Sequence, residues 1–244
     1  MNCALCLGAE ELQLSHIIPE FLFCALYDDK HRFHVISTEE ATRNKFQQQG
    51  PREPLLCVAC EQQFSRYERY ASLVLSGGIE LEYQYYGPSV ILSKLEYKRF
   101  RLFQLSILWR AGVSRHEFFS GVSLGPHEET LRLALLKEDP GSFDKYGCFM
   151  CALVHDGLIL NDVVLPPERV RFSGVNGYRF VFGGLVWTYI VSSNKLSANI
   201  QDGFLQDDGR AIVLMKKLAE FPDLMLMGNK LHAQGKLRER VHTP

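Results

Sequence analysis

Cys3-Ala-Leu-Cys6 and Cys57-Val-Ala-Cys60, with Ser15-His16-Ile17-Ile18-Pro19 between them, decide how the amino-terminal quarter of this 244-residue chain is read. Two Cys-x-x-Cys pairs supply four thiolates, the ligand set of a closed tetrahedral zinc site. Tethering both ends of the intervening segment to one ion removes loop entropy from the unfolded chain. A stretch too short to build its own core can then hold a fixed shape. The expectation is a structural metal on Cys3, Cys6, Cys57 and Cys60 that fixes His16 near the start of whatever follows Cys60.

Outside that stretch the composition is that of an ordinary globular protein, with 46% hydrophobic and 23% charged residues, which excludes disordered and fibrous classes. A formal net charge of -1 gives no global pull toward nucleic acid, so any such contact rests on a local basic patch. No apolar run reaches the length of a membrane span. The first cysteine pair begins at position 3, which leaves no room for a signal peptide, and paired cysteines without one point to metal thiolates in a reducing, cytoplasmic compartment.

Along the chain, Pro19 opens a predicted helix over 20–27, and the polar stretch to Pro54 reads as a surface insertion. Helical spacing runs from Glu61 to Leu75, with Phe64, Tyr67 and Ala71 on one stripe and Gly77-Gly78 at its end. Tyr86-Gly87-Pro88 marks a boundary, giving a metal module over 1–87 and an α+β domain over 88–244. The second part is predicted to hold helices over 93–112 and 126–137, and a capping box at Ser114-Arg115-His116-Glu117. Strands follow over 148–154, 163–165, 169–172, 178–182 and 185–191 in an antiparallel sheet. A last amphipathic helix over 209–221 and a basic tail ending Lys236-Leu237-Arg238-Glu239-Arg240 close the chain. Cys148-Phe149-Met150-Cys151 mimics a knuckle, but its place in a strand reads as buried small hydrophobes.

The cysteine pairs, the Ser-His-Ile-Ile-Pro strand and Leu55-Leu56-Cys57 entering a helix resemble the zinc-bearing branch of the HNH endonucleases. The later half, with Leu105-Ser106-Ile107-Leu108-Trp109-Arg110-Ala111, resembles uncharacterised bacterial HNH-like proteins. The resemblance implies a treble-clef or ββα-metal module. It also implies hydrolysis of nucleic-acid phosphodiesters, DNA first, with His16 as general base, and a role in antiphage defence. The sequence departs from the family at three places: Ser15 stands where a metal-binding Asp is usual, Glu61 where Asn or His is common, and Arg52-Glu53 where an Asn is expected before Leu55-Leu56.

Candidate site residues follow from the chemistry. A neutral imidazole can take a proton from water, and a hard cation such as Mg2+ or Mn2+ is held by carboxylate oxygens. Glu61 and, one heptad on, Glu68 are the candidate oxygen ligands, with Glu61 also a candidate catalytic residue. Glu61 reads equally as an acid favoured at a helix start, and Glu68 as a salt-bridged helix residue. Arg66 and Arg69, placed beside the same cleft, and Arg43, Lys45 and Arg52 in the insertion are the candidate phosphate contacts, the last three reading equally as a soluble loop. The competing reading is a non-catalytic zinc-stabilised module that binds nucleic acid or protein. A protein partner or a second copy of the chain is the candidate occupant of the 88–244 domain.

Overall fold

The computed structural model describes residues 2–194 and 196–237. The first knuckle leads into β1 (Leu12–His16), and a seven-residue 3-10 helix (Glu20–Leu26) follows Pro19. The polar insertion forms a small hairpin of β2 (Phe33–Val35) and β3 (Lys45–Gln47). Lys236, near the other end of the chain, ties this insertion down, its ammonium donating to the Ser37 carbonyl at 2.8 Å. Next, β4 (Arg52–Cys57) pairs antiparallel with β1 and runs straight into α1 (Val58–Leu75).

The β1–β4 ribbon carries a bulge whose cause lies in the sequence. Pro54 has no N–H to give the ladder. The register slips so that Leu14 faces Pro54 while Gln13 faces Leu56, leaving Leu55 as the extra residue. The Leu55 carbonyl is thereby free to accept the N–H of Ala4, at 3.0 Å, and the first knuckle is stitched onto the bulge.

Beyond the ribbon come β5 (Glu82–Tyr86), β6 (Ser89–Ser93), α2 (Tyr97–Val113), a 3-10 turn (Glu117–Phe119) and α3 (His127–Leu136). They are followed by β7 (Cys148–His155), β8 (Leu158–Ile159), β9 (Leu165–Phe172), β10 (Val175–Phe182) and β11 (Leu185–Ile190). Then come α4 (Ala198–Gln201), β12 (Ala211–Lys217), a 3-10 turn (Leu218–Glu220) and α5 (Pro222–Ala233). The protein is thus a mixed α+β fold. Its large sheet has the order β5-β6-β12-β7-β11-β10-β9, with β8 paired beside β7.

Three sequence-based expectations are corrected. The stretch 209–221 is not a helix: Ala211–Lys217 fills the gap between β6 and β7 as a strand. Its run of Ile212, Val213, Leu214 and Met215 suits a half-buried strand as well as a helix, and the vacant ladder positions on both sides decide it. The helix begins only at Pro222, whose missing N–H is harmless in a first turn. Because β12 enters parallel to β7, the sheet is mixed and not purely antiparallel. The capping box at Ser114 does not form; instead the His116 imidazole Nδ1 accepts the Phe118 N–H at 3.1 Å and caps a single 3-10 turn. Residue 87, the expected boundary, is the tip of the β5–β6 hairpin, and one buried apolar cluster runs from Cys3 to Ala211. Arg238, Glu239 and Arg240 of the basic tail lie outside the described residues.

α2 is the hub. Every residue from Phe100 to Ala111 is buried, so the helix has no solvated face and is walled by the sheet on one side and by α1 and α3 on the other. Trp187 of β11 meets the Phe103 ring at 6.2 Å, and Trp109 meets Phe64 of α1 edge-on at 6.2 Å. Among the described residues no helix is long and apolar enough to cross a membrane.

Candidate metal centre and the histidine beside it

The four sulfurs of Cys3, Cys6, Cys57 and Cys60 lie within 4.8 Å of one another. The Cys6 and Cys57 sulfurs, 51 residues apart in sequence, stand 3.8 Å from each other. A disulfide needs about 2.05 Å, whereas ligands at about 2.3 Å around a tetrahedral zinc stand about 3.8 Å apart. The spacing therefore fits a four-thiolate structural metal such as zinc, and no sulfur is left over for an open coordination position.

The backbone is shaped to deliver those sulfurs. Leu7, at φ +62°, turns the chain so that its N–H reaches the Cys3 carbonyl at 2.9 Å. Cys57 ends β4 and caps α1, and its own N–H points at the Cys3 sulfur at 3.3 Å. Burial pushes the Cys3 thiol up, but the backbone N–H donors of Cys6, Cys57 and Leu5 outweigh it and bring the group down to about 7. Burial and the neighbouring sulfurs push the Cys60 thiol up instead. With an ion bound all four are thiolates, so metal uptake releases protons. α3 closes the outside of the knuckle: Arg132, paired with Glu129 at 2.7 Å, donates to the Leu5 carbonyl.

His16 occupies the other end of the same ribbon, opposite Arg52, while Leu12 faces Cys57. Its Nε2 lies 2.9 Å from Glu20 Oε2, and the Tyr27 hydroxyl donates to Glu20 Oε1. Neither Nε2 nor Oε2 is engaged in a hydrogen bond, so the contact is one of proximity between the ring and the carboxylate. Burial holds the His16 pKa below its ordinary value. The Glu20 carboxylate opposes that shift, and Arg52 adds to it. The ring is thus neutral at neutral pH.

Arg110 of α2 fixes this end from below. It is 1% exposed, and it donates to the His16 carbonyl at 2.6 Å, pairs with Glu68 at 2.7 Å and lies over the Phe64 ring. Glu68, a candidate cation ligand, is thereby committed to a buried ion pair. Glu61 sits in the first turn of α1 with Oε1 buried and without a hydrogen-bond partner; the charges acting most strongly on His16 are Glu20, Arg52, Glu68 and Arg110. Ser15 is 1% exposed, and its Oγ accepts the Leu56 N–H at 3.2 Å.

The basic candidates spread apart. Arg66 pairs with Glu138 at 2.6 Å, and with Arg69, Lys98 and Arg99 it lines a groove of about 420 Å3 between α1 and α2. Arg69 follows Glu68 by one residue and is turned about 100° away from it around the helix, and Arg66 about 200°. They therefore flank a different face from the one that meets His16. Arg43 and Lys45 are exposed in the insertion. The sequence reading missed Glu20 and Arg110, and it placed Arg52 only among the loop cations that could meet phosphate. Glu20 follows His16 by one helical turn across Pro19, and Arg110 is a lone cation in a helix apolar all round; both are legible signals once sought. No family model matches the chain, and neither a curated protein nor a solved structure does.

Proposed function

We propose that the amino-terminal module is an HNH-like nuclease that hydrolyses nucleic-acid phosphodiesters, with DNA as the first substrate to test. The observation that carries the reading is the His16–Glu20 pair at the open end of a ribbon whose other end is closed by four cysteines. Knuckle, two-stranded ribbon and helix follow in the order of a treble-clef finger, and the second cysteine pair sits at the helix start, which supports that fold for the module. In the proposed reaction His16 takes a proton from the attacking water as its oxygen bonds to phosphorus, the P–O bond to the leaving sugar oxygen breaks and that oxygen is protonated from solvent, and the Glu20 carboxylate, 2.9 Å from Nε2, steadies the imidazolium that forms. The metal on the cysteines supplies structure and no chemistry. The Mg2+ or Mn2+ that the resemblance implies lacks its expected carboxylate pair, since Glu68 belongs to Arg110, and no step runs through it.

The test is nicking of supercoiled plasmid and of single-stranded DNA, with Mg2+ or Mn2+ supplied, by the native chain and by His16→Ala. Activity lost in the variant with zinc content unchanged is the expected result. Equal activity in both proteins, or none on any substrate with either cation, sinks the proposal. Ser15 favours a second reading, a non-catalytic zinc-stabilised binding module, because a buried hydroxyl engaged by Leu56 serves the scaffold and not a cation. There His16→Ala leaves DNA or protein binding intact, and Cys57→Ser abolishes it.

A further inference from the structure

A cavity of about 310 Å3 opens beside the ribbon, lined by Gln47, Gln48, Gln49, Gly50, Arg52 and His116. We propose that it is a phosphate-ester subsite that seats the nucleic-acid backbone next to His16. The proposal rests on the nuclease reading for its role, though the anion chemistry stands by itself. Arg52 is the cross-strand partner of His16, and directly opposed residues of an antiparallel pair project to the same face. The Arg52 side chain therefore projects to the imidazole's side of the ribbon, and Arg52 also lines the pocket.

The lining selects for anions. No carboxylate is among the lining residues, which offer a guanidinium, an imidazole and three side-chain amides. His116 is fixed as a donor: its Nδ1 is occupied by the Phe118 N–H, so the neutral ring carries its proton on Nε2. The nearest acid in sequence, Glu53, is not a lining residue, and its carboxylate is engaged, its oxygens accepting the Arg115 N–H at 3.1 and 3.2 Å. That same bond clamps the loop bearing His116 onto β4. Arg52 is held by the Gln49 side-chain oxygen, which leaves the rest of its fork for a phosphate. The volume is at the small end for ligand sites, about 300 to 1,000 Å3, and suits one backbone phosphate with its sugar better than a whole base-paired segment.

The experiment is calorimetric titration of the full chain with inorganic phosphate and with a short single-stranded oligodeoxynucleotide, using Arg52→Ala, His116→Ala and, as a surface control, Arg171→Ala. Loss of one charge-assisted contact weakens oligonucleotide binding about tenfold in Arg52→Ala and a few-fold in His116→Ala, while Arg171→Ala binds as the native chain does. Native binding unchanged in both pocket variants overturns the subsite even where His16→Ala abolishes cleavage. Arg52-dependent binding by a chain that cuts nothing sustains the subsite and fells the nuclease reading instead. Absence of binding to either probe by the native chain overturns it outright.

Discussion

The amino-terminal quarter is fastened twice, by the cysteine cluster at one end of the β1–β4 ribbon and by Arg110 at the other, and the two fastenings differ in kind. The cluster gathers four sulfurs that as thiols share only weak contacts, such as Cys6 to Cys57 at 3.8 Å, and as thiolates repel; it holds the chain firmly only when a cation sits among them. Arg110 needs nothing from solution. Its guanidinium meets the His16 carbonyl, Glu68, and both the Ser106 carbonyl and hydroxyl, all within the chain. One end of the module is therefore conditional on metal, and the other is permanent. The proposed chemistry sits at the permanent end.

The largest expected effect lies at the conditional end. Structural zinc in small finger domains contributes about 10 kcal/mol or more to folding. Chelation, or Cys57→Ser, is expected to open the knuckle and the ribbon, read as rapid amide hydrogen exchange over 2–16 and 52–60. The Trp187 surroundings in the sheet keep their near-ultraviolet circular dichroism. Metal analysis of the protein as purified is expected to find about one zinc per chain. Exchange that does not change on chelation breaks the comparison, because the cluster would then hold without an ion.

Arg110→Ala comes next. Removing one partner of a buried pair leaves the other charge uncompensated and costs about 3–5 kcal/mol, and here the His16 carbonyl also loses its donor. Denaturant unfolding measures the loss. A double-mutant cycle with Glu68→Gln sharpens it, with a coupling of about 1–3 kcal/mol expected for groups in direct contact. Coupling near zero would mean that Glu68 is free after all and is restored as a candidate cation ligand.

The same contrast explains what was legible in the sequence. Cysteine spacing is short-range and chemically specific, so Cys3, Cys6, Cys57 and Cys60 could be grouped without any knowledge of the fold. The heptad from Glu61 to Glu68 was also visible, but the partner that captures Glu68 comes from α2, 42 positions along the chain, and a helix pattern does not report its tertiary neighbours. The stretch 211–217 failed for a related reason. Its apolar run satisfies both periods, and only the ladder vacancy between β6 and β7 selects the strand. Ser15 is the subtle case: it was read as a lost ligand, and its position shows a hydroxyl closing the ribbon onto the Leu56 amide.

The smallest effect concerns pH at the permanent end. Burial keeps the folded-state pKa of His16 below its ordinary 6.5, against the pull of Glu20. Above about 6.5 the ring is neutral folded or unfolded, and its contribution is intact. As the pH falls below that value the unfolded chain takes up the proton first, so stability drops until the folded-state pKa is passed and then levels off. Glu20→Gln removes the opposing carboxylate, lowers the folded-state pKa further and extends the losing window to more acid pH. The acid limb of any His16-dependent activity moves the same way, toward lower pH, since the base stays unprotonated longer. An NMR titration of the His16 ring in both proteins reads the shift directly, and thermal unfolding between pH 8 and 5 reads its consequence as a stability that falls toward acid. A native ring titrating above 6.5 means that Glu20 outweighs burial. His16 would then stand charged beside its carboxylate as a third fastening of the ribbon, and the neutral base that the proposed hydrolysis needs would be missing.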